Sequence, residues 1–205
     1  MTWTRLELIL ILAAFLLVVL AFYLRGLAAR LDRLHLRVDA SAAALEARLE
    51  RRAALSVEVA LSGALDPASA VLLLNAATTA QHAGEQRSSA ESDLSAALRA
   101  VFPDDETVAV LVGDVGDVGD PEGPEDPDDP DDQETRDTLT ELGETCQGVV
   151  LARRFANDAT RAAVHVRRRG VVRALRLAGH APWPPSRDLD DAPPEALTGL
   201  AMNSA

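Results

Sequence analysis

Apolar positions along this chain follow two regimes. From Leu8 to Leu24, 17 consecutive residues carry no charge, and every helical face is apolar. Such a run can span a hydrocarbon core about 30 Å thick. Leu6 extends it to a membrane segment of residues 6–24 with Glu7 at headgroup level, and leaves 1–5 as a short extracytoplasmic N-terminus. Trp3 and Tyr23 flank the run about 30 Å apart at 1.5 Å per helical residue, the spacing of two membrane interfaces. A cleaved signal peptide is the competing reading, with Gly26-Leu27-Ala28 as a small-residue site. The run is longer than a usual signal core and Arg25 stands before that site, so an uncleaved span is preferred. An ordinary core helix would not be apolar all round.

After Gly26 the period changes to three and four. Leu31, Leu34, Val38, Ala42, Leu45 and Leu49 form the stripe of a bundle helix, which Ser62-Gly63 should end. Asp66-Pro67 offers an N-cap and a first-position proline for a second helix, running to about His82 before Gly84 breaks it. Ser88-Ser89-Ala90-Glu91 reads as a capping box for a third helix, carrying Leu94, Leu98 and Val101 and ending before Pro103. The short apolar run Thr107 to Val112 has no partner strand and is expected as a packed loop or helical turn. A last long helix should begin at Asp137 or Thr138, with Leu139, Leu142, Cys146, Val149, Ala156, Ala159, Ala163 and Val166 as its stripe. The expected fold class is therefore all-α: an N-terminal transmembrane helix, then an antiparallel up-and-down four-helix bundle. Residues 25–112 supply the first three bundle helices and 137–180 the last.

Charge changes this picture in two places. The net charge is −12, yet Pro103 to Asp137 alone holds 15 acidic residues against one Arg, which leaves the remainder mildly basic. Residues 113–136 within that stretch are low in complexity, acidic and proline-rich, and are expected to be a disordered insert. They lack the Asp-x-Asp-x-Asp-Gly order of a calcium loop. Around the span, only Arg5 precedes it, whereas Arg25, Arg30, Arg33 and Arg37 follow. The positive-inside rule then puts the C-terminal domain in the cytoplasm. All 20 basic residues are Arg, and with the abundant Ala this suggests a GC-rich bacterial genome, hence a bacterial cell membrane. Residues 181–205, rich in Pro, Ser and Asp, are expected as a disordered tail.

Two stretches carry a family resemblance. Arg33-Leu34-His35-Leu36-Arg37-Val38-Asp39, followed by Leu45, Leu49, Arg51, Arg52 and Ala53, is similar to the first soluble helix of the LemA family of bacterial membrane proteins. Ala152-Arg153-Arg154-Phe155-Ala156-Asn157-Asp158-Ala159 resembles that family's more specific A-R-R-x-Y-N-x-x-V motif, with Ala156 where the family has Tyr. Val101-Phe102-Pro103-Asp104 is similar to its Y-P-D-L corner. The resemblance covers roughly residues 5–183 without the acidic insert, and implies a helical bundle on a membrane anchor. It implies no enzymatic activity.

Candidate chemistry is sparse. His35, His82, His165 and His180 lack metal-ligand spacing, no glycine-rich loop follows a strand, and the aspartates within Gly113 to Gly119 would repel phosphate. The lone Cys146 excludes an intrachain disulfide and sits at an apolar helix position. No catalytic, metal or cofactor residue is assigned. Arg153, Arg154, Phe155, Asn157 and Asp158 form a candidate structural or docking patch, in which Arg154 and Asp158 lie one turn apart and can pair. Arg161, Arg167, Arg168, Arg169, Arg173 and Arg176, with Trp183, form a candidate contact for anionic lipid. Without base-reading or stacking residues, nucleic acid is not an expected partner. The expected function is a non-enzymatic membrane-anchored scaffold that meets lipid and a protein partner. The alternatives are an unrecognised enzyme and a membrane sensor whose bundle repacks.

Overall fold

The computed structural model describes residues 2–113, 130–168 and 188–203. Among these residues there are six α-helices and no strand. They are α1 (Thr2–Leu61), α2 (Pro67–His82), α3 (Arg87–Val101), α4 (Asp105–Leu111), α5 (Pro130–Arg167) and α6 (Glu195–Asn203), with a 3-10 turn at Gly84–Gln86 between α2 and α3. The fold is all-helical, and one N-terminal helix is long and apolar enough to cross a membrane.

Local chemistry sets the ends of these helices. α1 stops where Gly63 takes φ +86°, a left-handed conformation that glycine adopts without a Cβ clash. Asp66 caps α2, its Oδ1 accepting from the amides of Ala68 and Ser69 at 2.9 and 3.1 Å, and Pro67 takes the first helical position. Asp104 caps α4 in the same way, accepting from the Thr107 amide at 2.9 Å and its hydroxyl at 2.7 Å. The Thr107–Val112 stretch is thus mostly helix, with Val108 and Val112 turned into the core.

Three expectations require correction. The capping box at the head of α3 does not form: Gln86 is the N-cap, no side chain caps it, and Glu91 turns inward to a stronger, charged partner. α5 begins at Pro130, so residues 130–136 are helix and not disordered insert. Proline is suited to that first position because its missing N–H has no partner there anyway. Arg136 ties the new turns down by donating to the Val112 carbonyl at 2.9 Å. The rest of the insert, 114–129, lies outside the described residues. Within the tail, residues 188–203 are ordered: Leu189, Asp191, Ala196, Leu197 and Ala201 are buried, and apolar burial of that kind is what a disordered segment lacks.

The chain divides into two compact units. One takes α1 as far as Ser41 together with α5 from Asn157. In it, α1 residues from Leu8 to Tyr23 are exposed, while Ala159, Ala163 and Val166 form a buried stripe on α5. The other unit takes the chain from Ala42 to Ala156 and the C-terminal segment. Its main core joins Leu55 and Val59 of α1, Leu73 and Ala77 of α2, Leu94 and Leu98 of α3, Phe102, Val108, Leu139, Leu142 and Cys146 of α5, and Leu197 of α6. A second cluster packs Leu45 and Leu49 of α1 on Val149 and Ala156 of α5.

Two helical glycines in α5 face different neighbours. A Cβ on Gly143 would collide with the Leu197 carbonyl oxygen, a backbone atom of α6. A Cβ on Gly148 would lie 3.0 Å from Nη1 of Arg48, the far end of a flexible, exposed side chain. In a helix interior, alanine is favoured over glycine by roughly 0.5–1 kcal/mol. Gly148→Ala should therefore raise the melting temperature, because Arg48 can swing aside. Gly143→Ala should lower it and strip hydrogen-exchange protection from Glu195–Asn203. Equal effects of the two changes would mean that α6 does not sit this closely on α5.

Candidate functional site

The unusual chemistry of the Ala42–Ala156 unit lies in its core. Arg52 projects from α1 and Glu91 from α3, and their residues are 1% and 0% exposed. Arg52 Nη2 meets Glu91 Oε2 at 2.8 Å and also donates to the Glu91 carbonyl at 3.1 Å. Its Nη1 donates to Ser95 Oγ at 3.0 Å, and that hydroxyl donates on to the Glu91 carbonyl, also at 3.0 Å. Three buried atoms of this cluster, Arg52 Nε, Glu91 Oε1 and the neighbouring Arg87 Nε, have no hydrogen-bond partner. Glu91 Oε1 is compensated by charge instead, since Arg87 Nε lies 3.5 Å away. Arg87 in turn reaches Glu46 of α1 at 2.5 Å. The result is a chain of alternating charges, Glu46, Arg87, Glu91 and Arg52, running inward from the half-buried rim. It was missed at the level of sequence, though a signal was there: Arg52 interrupts the apolar stripe of α1, and Glu91 falls three residues before Leu94 on that of α3.

Cys146 is buried beside this network. Burial pushes its thiol up to about 11, opposed only in part by the Arg52 charge. A thiol so protonated is a core residue and not a nucleophile at neutral pH. Among the described residues, no three His, Cys, Asp or Glu side chains gather where they could hold a metal ion. A surface cavity of about 490 Å³ lies between the end of α1 and the start of α5, lined by Glu58, Ser62, Leu65, Leu111, Glu134 and Thr138. Both of its carboxylates belong to exposed residues.

The candidate docking patch is split by the structure. Arg153 is committed inside the protein: its Nε and Nη2 donate to the two carboxylate oxygens of Asp191 at 2.6 and 2.8 Å. Arg154 and Phe155 face outward, Phe155 at 64% exposure, and Leu151 one turn earlier is also exposed at 54%. Asn157 is half-buried. Asp158 pairs with Arg161 and not with Arg154 as the spacing allowed. Of the candidate lipid contacts, Arg161 and Arg168 are exposed, whereas Arg167 is buried at 7% and so does not present its charge to a surface. Arg169, Arg173, Arg176 and Trp183 lie outside the described residues.

A second Arg–Asp pair lies beside the first. Arg99 of α3 donates to Asp190 Oδ2 at 2.7 Å and to the Ala192 carbonyl at 2.8 Å. The Asp190 amide donates to Ser92 Oγ at 3.0 Å. The Arg99 guanidinium, with help from the Ala192 amide, holds the Asp190 carboxyl below the usual aspartate range. A carboxyl with a depressed pKa stabilises the fold at neutral pH, and that contribution is lost as pH falls through its folded value. No family model matches this chain, and neither a curated protein nor a solved structure does.

Removing one member of a buried ion pair strands the other charge, at a cost of about 3–5 kcal/mol. Arg52→Ala and Glu91→Ala should each lower the unfolding free energy by that amount in urea titrations followed by circular dichroism. The double change Arg52→Met with Glu91→Leu should restore most of the loss, because it removes both charges together. Losses of only about 1 kcal/mol from the single changes would assign the pair the value of a surface bridge. For Cys146, the thiolate fraction at pH 8 is on the order of a thousandth. Iodoacetamide should therefore leave it unmodified in the native protein and alkylate it once the chain is unfolded in urea.

Proposed function

We infer that this protein is a membrane-anchored helical scaffold, a non-enzymatic component that presents a helical domain to a protein partner at the inner face of a bacterial cell membrane. One observation carries this reading. α1 is a single helix whose residues from Leu8 to Tyr23 are exposed and apolar, with Leu8 at 70% and Phe22 at 73%, while the same helix later buries Leu45, Leu49 and Leu55. Leaving so much contiguous apolar surface in water is costly, and a bilayer removes the cost. The Arg residues that follow the span support a cytoplasmic domain.

An antiparallel bundle is the arrangement of choice. Later residues of α1 meet earlier residues of α5, as Arg51 with Glu141 and Arg48 with Gly148. Such an order favours the return of α5 toward the anchor, and residues from Asn157 fall in the same unit as α1 up to Ser41. That supports a basic end of α5, with Arg161 and Arg168, within reach of anionic headgroups, where each Arg adds about 1 kcal/mol. The motifs in α1 and α5 support kinship with the LemA family. Leu151, Arg154 and Phe155 supply the outward face for a partner, since exposed aromatic and Arg side chains are common anchors of interfaces.

The test uses the full chain. It should stay in the membrane pellet through an alkaline carbonate wash, and a reporter fused after Ala205 should be active in the cytoplasm. A photoreactive residue in place of Phe155 should crosslink to one discrete protein, and the same residue in place of exposed Ala54 should not. Release by carbonate would remove the anchor, reporter activity outside the cytoplasm would reverse the orientation, and equal labelling from both positions would remove the docking face.

A further inference from the structure

The C-terminal segment is held in a manner that does not require it to belong to the same chain. Residues 188–203 lie on a surface built from α3, α4 and α5. Leu189, Ala196, Leu197 and Ala201 provide the buried apolar contacts. Asp190 and Asp191 are clasped by Arg99 of α3 and Arg153 of α5. The Leu197 carbonyl fits the notch that Gly143 leaves open, and α6 packs along α4. Every one of these contacts is made by side chains or local backbone of the segment itself.

The fit is specific, with Leu197 fully buried and Arg153 bound to both carboxylate oxygens of Asp191. Two carboxylates in succession meet two guanidiniums from different helices, so a segment of other charge would be rejected. The bidentate geometry at Arg153 fixes orientation as well as charge. Yet α6 has nine residues, too few to persist as a helix away from the surface. The Arg99–Asp190 pair is partly exposed, at 35% and 49% of its side chains, where ion pairs contribute little. A site whose contacts are complete within residues 188–203 can take the same residues from another source.

We propose that the surface of α3, α4 and α5 beneath residues 188–203 is a docking site between copies of this chain, accepting residues 188–203 of a second copy in place of its own. The occupant of matching chemistry is defined by the chain itself: an Asp-Asp pair, two prolines at Pro193 and Pro194, and a short helix led by Glu195 with Leu197 and Ala201 on its inner face. An identical segment from another copy makes identical contacts, so the exchange changes the connectivity and leaves the contact energy as it was. Occupation by the second copy then rises with protein concentration by mass action.

A charge swap separates the two connectivities. One full chain carries Arg99→Asp and Arg153→Asp; the other carries Asp190→Arg and Asp191→Arg. Neither can seat its own segment or that of an identical copy, because like charges then face each other. Mixed in detergent under distinct affinity tags, the two should co-purify at least about tenfold better than either does with itself, since both crossed pairings restore opposite charges. Co-purification no better than for the separate variants would overturn the proposal. A companion measurement leaves the charges of the remaining contacts in place. A chain with Arg153→Cys and a chain with Asp191→Cys, treated with a short bis-maleimide, should yield a covalent dimer containing one of each. If that dimer is absent while a single chain carrying both changes is crosslinked internally, the segment serves only its own chain and the proposal fails.

Discussion

The Ala42–Ala156 unit is organised around the burial of Arg52 against Glu91. Taking two charges from water costs several kcal/mol per ion before any attraction is gained. The structure offsets that cost by giving the guanidinium three acceptors and by placing Arg87 beside the carboxylate. Arginine suits this position better than lysine, because its planar fork addresses a carboxylate, a carbonyl and a hydroxyl at once and sheds water more readily. The surrounding core is mostly Ala, Leu and Val, with Phe102 as its large aromatic member. The pair links α1 to α3 across this core, and Cys146 of α5 is buried beside it.

How much of this was legible depends on how local the cause was. The ends of α1 and α2, and the break at Gly84, follow from residues that act on their own backbone: Gly63, Asp66, Pro67 and Gly84. Where a side chain had two uses, sequence logic chose the nearer one. Ser88 and Glu91 have the spacing of a capping box, but Glu91 goes to Arg52, 39 residues away, since a buried charge must find a counter-charge. The start of α5 and the tail failed for a related reason. Acidic and proline-rich composition reads as disorder, yet Pro130 opens a helix and Pro193 and Pro194 lead into another. Composition averages over positions, and these prolines are placed where a helix tolerates them.

The docking patch shows the same limit at the level of single residues. Arg153 and Arg154 are neighbours in sequence and have opposite fates. Successive residues of an α-helix point about 100° apart, so one Arg faces the C-terminal segment and the other faces solvent. Leu151 and Phe155, four residues apart, share the outward face. A motif that reads as one patch is therefore two half-sites, one for the chain's own tail and one open. Which half a residue serves is set by the rotation of α5, and nothing in the local spelling of Arg-Arg reveals it.

Gly143 also has a meaning for kinship. A notch that admits a backbone carbonyl allows no other residue while α6 is in place. Position 143 is consequently linked to positions 197 and 201, just as 99 is linked to 190 and 153 to 191. These three long-range linkages make a signature of the C-terminal segment that sequence similarity along any single helix does not contain. In an alignment of relatives, chains that possess the segment should show glycine and both Arg–Asp couples together. Chains that have lost it are released from all three constraints at once, so the signature would date the gain or loss of the tail on a family tree.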